Sequence, residues 1–198
     1  MTNRDVDAVI VGAGFSGLYV THRLRNVQGL TVQCFEAAGG PGGVWYWNKY
    51  PGARCDFESI YYSYTFDEAL QREWRWTERF AAQPEILAYL NHVADRFDLR
   101  RSFRFNTRIT SAVWNEETNR WTVRSDDGAV TTARFFINAA GAFSVFKKND
   151  FPGQDDFHGT VLHTSQWRAE GVDLTGKRVA VIGTGSTGIQ VIQTIAPQ

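Results

Sequence analysis

Asp7–Leu24 reads DAVIVGAGFSGLYVTHRL. Ala8 to Val11 form a short continuous apolar run, which breaks at Gly12 and gives way to apolar residues at helical spacing, Leu18, Tyr19 and Leu24. A run of that kind fits a strand buried on both faces, and the glycine break followed by a 3.6-residue period fits a sharp turn into a helix. After a turn at residues 26–30, TVQCFE predicts a second strand ending at Glu36. Strand, helix and strand therefore fall within about thirty residues, the length of one βαβ unit.

The turn itself is Gly12-Ala13-Gly14-Phe15-Ser16-Gly17. In a GxGxxG turn the first glycine permits the tight bend, the second lets a pyrophosphate approach the backbone, and the third lets helix and strand pack closely. The helix amides then receive the anion. Glu36, about twenty residues further on, is placed to accept hydrogen bonds from a ribose, and its charge would repel a 2′-phosphate, which favours FAD or NAD over NADP at this first site.

Further along, QPEILAYLNHVADRF puts Ile86, Leu87, Leu90, Val93, Ala94 and Phe97 on one helix face behind Pro84 in the first turn. TRITSAVWNEETNRWTVRSDDGAVTTARFFINAAG alternates apolar and polar residues around turn signals at 115–119 and 126–128. It predicts an antiparallel meander feeding a last buried strand, Phe135 to Ala139. FSVFKKNDFPG, from Phe143, loses all periodicity and is read as a boundary. KRVAVIGTGSTGIQVIQTIA then repeats the opening grammar with Gly183, Gly185 and Gly188. The expected organisation is a first domain over 1–142, a linker over 143–175 and the start of a second nucleotide-binding domain over 176–198.

Of the 198 residues 43% are hydrophobic and 21% charged, with Lys plus Arg equal to Asp plus Glu at 21 each. That balance gives no overall field toward nucleic acid or anionic lipid, so small-molecule partners are expected, with no nucleic acid and no membrane. Cys34 and Cys55 are the only cysteines and have no metal or disulfide spacing. No metal is expected. A reducing, cytoplasmic setting suits them, since the amino terminus shows no basic, apolar export signal.

Two long signatures lie between the glycine motifs. Gly42-Gly43-Val44-Trp45, Tyr50-Pro51-Gly52 and Asp56 fit (A/G)GxWxxxx(F/Y)P(G/M)xxxD, and Phe157, Gly159, His163 and Trp167 fit FxGxxxHxxxW. On these residues the whole chain resembles the amino-terminal portion of type I Baeyer–Villiger monooxygenases, most of all the phenylacetone and steroid monooxygenase branch. Arg168 departs from the Pro or Asp that usually follows the second signature. No CxxC or CxxxxC pair of a disulfide reductase is present.

The resemblance implies an α/β fold: a Rossmann-like FAD-binding domain with an antiparallel β-meander, plus the start of a second Rossmann-like NADP-binding domain. It implies that NADPH reduces FAD and that one oxygen atom from O2 is inserted next to a ketone carbonyl to give an ester or lactone. Implied FAD contacts are Gly12, Gly14, Phe15, Ser16, Gly17, Glu36, Val44, Trp45, Tyr46, Trp47, Asp56, Tyr62 and the backbone at Ile109. Implied NADP contacts are Arg54, Cys55, Asp56, Thr184, Gly185, Ser186, Thr187, Gly188, Ile189 and Gln190. Asp56 is implied to support a catalytic arginine that family layout places outside this chain, so the 198-residue chain alone is not expected to oxidise ketones. Phe157, Gly159, His163 and Trp167 are assigned to an interdomain hinge. The alternatives are an N- or S-oxidising flavin monooxygenase and a non-catalytic FAD-binding fragment.

Overall fold

β1 (Arg4–Val11) is flanked on both sides by parallel partners, β2 (Val32–Phe35) and β6 (Val130–Asn138), in a computed structural model that describes residues 4–143, 145–146, 150–168 and 170–197. Ala8, Val9 and Ile10 are fully buried, as the uninterrupted apolar run requires of a central strand with both faces covered. The six-stranded sheet has the order β3-β2-β1-β6-β5-β4. β3 (Phe103–Arg104) adds in parallel to β2, whereas β4 (Ile109–Asn115), β5 (Arg120–Ser125) and β6 form the antiparallel meander. Val6, Val9, Phe35, Val123 and Ala133 build one core cluster, against which Val11, Ile109, Ala112, Trp121 and Phe136 pack.

The meander and the expected last strand are one element. β6 pairs through Val130–Ala133 with β5 and along nearly its whole length with β1, so the expected strand from Phe135 is the second half of one that has already begun at Val130, and it ends at Asn138, one residue short of Ala139. That half is not uniformly buried, since Phe135 is 50% exposed. A strand that keeps one neighbour along its length but has the other over only half of it carries two different burial patterns, which masks its continuity in the sequence.

α1 (Phe15–Thr21) follows the glycine turn and runs on as a π-helical segment, His22–Val27. From that segment Arg25 reaches the end of α4 (Gln83–Arg96): it donates to Phe97 O at 3.1 Å, Asp98 O at 2.6 Å and Ser102 Oγ at 2.6 Å. Ile86, Leu90, Val93 and Ala94 of α4 are buried, with Tyr89 added to the expected face through a ring contact to Phe15. α2 (Val44–Trp47) is a single helical turn and α3 (Glu68–Glu73) a short helix capped by Asp67, whose carboxylate accepts from Leu70 N at 2.7 Å. The stretch after Gly39 is thus less irregular than its glycine and proline content suggests.

The chain divides into two compact units that do not follow chain order. One comprises residues 1–46 and 87–144 and contains the whole sheet; the other comprises 47–86 and 145–198. Residues 47–86 cluster with the stretch that carries the second glycine motif. In the second unit Ala53–Ser59 runs antiparallel to Arg79–Gln83 through Cys55 N to Ala81 O, Gln83 N to Ala53 O and Ser59 N to Arg79 O. α5 (Ser186–Ile195) is its long helix. The apolar run Val179–Ile182 forms no strand, and Ile182 is 75% exposed. A strand needs a hydrogen-bonding neighbour, and none pairs with this run among the described residues. Residues 144, 147–149 and 169 of the expected linker lie outside the described residues.

Candidate dinucleotide sites

The two glycine turns have the same local geometry. Gly12 and Gly183 both have positive φ, +108° and +118°, a conformation that side chains rarely tolerate. A Cβ on Gly17 would lie 1.8 Å from Gly12 O, and one on Gly188 would lie 2.6 Å from Gly183 O. In each turn, therefore, the third glycine lets the helix rest on the carbonyl of the first. The N-cap residues Gly14 and Gly185 are both extended and supply no side-chain oxygen to the first turn. First-turn amides have no acceptor within their own helix, and a helix start without a side-chain cap suits an anion.

In the first unit the turn is built into the sheet. Gly12 N donates to Phe35 O at 2.8 Å and Ala139 N to Val11 O at 2.8 Å, fixing it at the carboxyl ends of β1, β2 and β6. Glu36 is 7% exposed and braces the turn: its Oε2 accepts from Ala13 N at 2.6 Å and its Oε1 from Ala38 N at 2.7 Å. Sequence reasoning assigned Glu36 to a ribose and missed this second task. A carboxylate has about four acceptor positions, so two amide bonds leave capacity for ribose hydroxyls.

Gly42 and Gly43 serve the same close packing. Gly42 N donates to Ala13 O at 2.9 Å, and a Cβ on Gly43 would come 2.8 Å from Gly14 Cα. The signature glycines thus bring main chain against main chain, laying the start of α2 along the glycine turn. Val44 is exposed, and Trp45 and Tyr46 are half-buried beside it; Ile109, at the register shift of β4, packs on the core cluster. Phe15 and Ser16 open α1.

In the second unit, Arg54, Cys55, Asp56 and the α5 turn meet. Ser186 Oγ donates to Asp56 Oδ2 at 2.9 Å, and Gln190 bonds the backbone of Arg54. The Arg54 guanidinium pairs with Glu78 at 2.9 Å. Thr184 and Ile189 are exposed, and Thr187 Oγ1 lies 3.3 Å from the Tyr50 hydroxyl. Trp47 is 47% exposed and Tyr62 half-buried on the turn after Glu58.

Both cysteines are free and buried. Burial pushes the Cys34 thiol up to about 12 against a 3.2 Å contact with Thr21 Oγ1, and raises the Cys55 thiol as well. Neither is poised as a nucleophile. In the second signature, His163 Nδ1 accepts from Ser165 N at 3.3 Å and caps the single turn Thr164–Gln166, while the Phe157 ring covers Gly159. Among the described residues no group of three or more His, Cys, Asp and Glu is arranged to hold a metal, and no helix is long and apolar enough to cross a membrane.

A parallel βαβ unit entered through a GxGxxG turn and closed by an acidic residue defines the dinucleotide-binding class of α/β proteins. Within that class the chain belongs to the flavin-binding monooxygenase-like family, whose profile matches residues 6–197. A Baeyer–Villiger monooxygenase of Pseudooceanicola batsensis is 52% identical over 193 residues, 98% of this chain and 35% of its own length. The phenazine N-monooxygenase PhzNO1 of Lysobacter antibioticus is 48% identical over 186 residues, 94% of this chain and 34% of its own. An oxidized steroid monooxygenase bound to NADP superposes with a TM-score of 0.92 at 62% identity, covering 98% of this chain and 37% of that one. The chain thus spans little more than a third of the length of these relatives.

Proposed function

We propose that this chain is the dinucleotide-binding portion of an FAD- and NADPH-dependent Baeyer–Villiger monooxygenase, acting in the cytoplasm on a small ketone and O2. The observation that carries this reading is the paired glycine turn: two helix starts of one geometry, neither capped by a side chain of its N-cap residue. The fit to a dinucleotide is good at both. At each turn the N-cap position, Gly14 or Gly185, carries no side chain that would cover the first-turn amides.

When bound, FAD supplies the redox centre that accepts hydride from NADPH and reacts with dioxygen. The chain's own residues bind and orient. Gly12, Gly14 and the first turn of α1, Phe15 to Gly17, take the pyrophosphate, and Glu36 takes the ribose with its remaining acceptor capacity. Val44, Trp45, Tyr46 and Trp47 supply rigid apolar area that excludes water from the flavin, with Tyr62 and the Ile109 backbone as further contacts. Thr184 to Ile189 receive the NADP pyrophosphate at the start of α5. Arg54, Cys55 and Asp56 border the nicotinamide, and Asp56 orients the arginine that stabilises developing negative charge. Residues 1–142 make the FAD-binding domain, 143–175 the linker and 176–198 the opening of the NADP-binding domain.

The purified chain is expected to be yellow or to gain thermal stability with added FAD. Colourless protein that FAD does not stabilise overturns the reading. A second reading, N-oxidation, is favoured by the 48% identity to a phenazine N-monooxygenase. Supplying the full-length enzyme with phenylacetone or with a phenazine, and weighing the products, separates ester from N-oxide.

A further inference from the structure

Sequence reasoning placed Gln190 among the dinucleotide contacts, yet its side chain is committed elsewhere. Oε1 accepts from the Tyr50 hydroxyl at 2.9 Å and from Arg54 N at 3.3 Å, and Nε2 donates to Arg54 O at 3.1 Å. One amide thus pairs with both backbone groups of a single residue, as a neighbouring strand would. Ser186, Gln190 and Thr194 are spaced four apart and share a face of α5. That face meets the signature loop at its turn as well. Gly52 has φ +77°, and a Cβ there would lie 2.2 Å from Thr194 Oγ1 and 2.6 Å from Gln190 O. Two residues past Arg54, the Asp56 carboxylate receives the Ser186 hydroxyl.

We propose that Gln190 is a positioning residue: it clamps the Tyr50–Asp56 loop onto α5 and thereby sets where the Asp56 carboxylate stands. All of these residues belong to one compact unit, so the loop that closes the first signature is carried by the helix of the second glycine turn. The importance of Asp56 to the reaction rests on the reading given under Proposed function; the clamp itself does not.

The clamp is tested by hydrogen exchange on the purified chain, read by mass spectrometry over residues 53–56. Gln190→Met keeps the length and loses every bond, and is expected to speed exchange there at least about tenfold, the equivalent of roughly one to three net hydrogen bonds. Gln190→Glu keeps the acceptor for Arg54 N and the Tyr50 hydroxyl but sets a second oxygen against Arg54 O, and is expected to speed exchange by less than the Met variant does. Equal exchange in the Met and Glu variants, or wild-type protection in the Met variant, overturns the proposal.

So does weaker NADP+ binding in Gln190→Met with unchanged loop exchange, because that is the mark of a direct dinucleotide contact. Should the Met variant lose protection in β1 as well, it has failed to fold, and Tyr50→Phe decides. Removing that hydroxyl is expected to raise exchange about twofold or more, and no rise overturns the clamp. Exchange is read without flavin, so a chain that binds no FAD would sink the proposed function and leave this result standing.

Discussion

At the scale of single residues, what distinguishes one glycine from another is what a Cβ would meet. Gly17 sits on Gly12 O with room for nothing more, whereas a Cβ on Gly29, at φ +70°, would point into open space. Gly17→Ala must push α1 off the turn and is expected to cost about 3 kcal/mol or more. Gly29→Ala meets only the left-handed backbone strain of about 1–2 kcal/mol. Chemical denaturation of both variants checks this, and equal losses would contradict the packing role given to Gly17. These roles were partly legible in the sequence. GAGFSG announces the turn, but nothing in GGPGG says that Gly43 is a glycine because Gly14 lies against it. That is a contact between residues distant in the chain, and only the fold brings them together. The bonds of Gln190 were hidden for the same reason: its neighbours on the chain are a dinucleotide motif, and its hydrogen-bonding partners lie about 140 positions earlier.

Elements add the question of how their ends are satisfied. The chain leaving α4 takes up its last carbonyls, Val93 O from Phe97 N, Ala94 O from Leu99 N and Asp95 O from Asp98 N, and Arg25 supplies a planar fork that bonds the two carbonyls just beyond the helix end together with Ser102. Its charge also complements the negative end of the helix. Arg25→Ala is expected to lower stability by about 1–2 kcal/mol, reduced from the full worth of charged hydrogen bonds because the site is partly solvated. Lysine, a point charge without the fork, is expected to recover less than half of that in a thermal melt.

The β5–β6 turn titrates. Hydrogen bonds from Ser125 and from Ala129 N, with Arg104 beside them, hold the Asp127 carboxyl at about 2 against an ordinary 3.8. A carboxyl depressed on folding stabilises the fold above its unfolded pKa and loses that contribution as pH falls through the folded one. The melting-temperature gap between wild type and Asp127→Asn is therefore expected to be full near about pH 6 and to close toward about pH 2. A gap unchanged with pH would rule out the carboxylate as its source. Patterning made α4, β4 and β5 legible because apolar residues recur in each at the spacing of its element. It hid the continuity of β6, which has β5 beside it over only its first half, and it hid β3, whose two residues are too few to show a period.

For the molecule as a whole, DAVIVG and RVAVIG show that similar sequences need not form similar elements. The first lies between β2 and β6 and is buried; the second has no paired neighbour among the described residues, and Val179 and Ile182 are 46% and 75% exposed. Strand propensity describes fitness for a pleated, half-buried surface, so without that surface the same apolar residues stay open. Stability should then be unevenly shared, because amides exchange by local opening where few buried contacts hold them and by global unfolding where many do. Amides of Val9 and Ile10 are expected to exchange last, at the rate set by global unfolding. Those of Val179 to Ile182 are expected to exchange within the first seconds, and mild proteolysis should cut there before it touches the sheet. Slow exchange across Val179–Ile182 would mean that the run is paired in solution, and the reading of burial as the cause of the difference would fail with it.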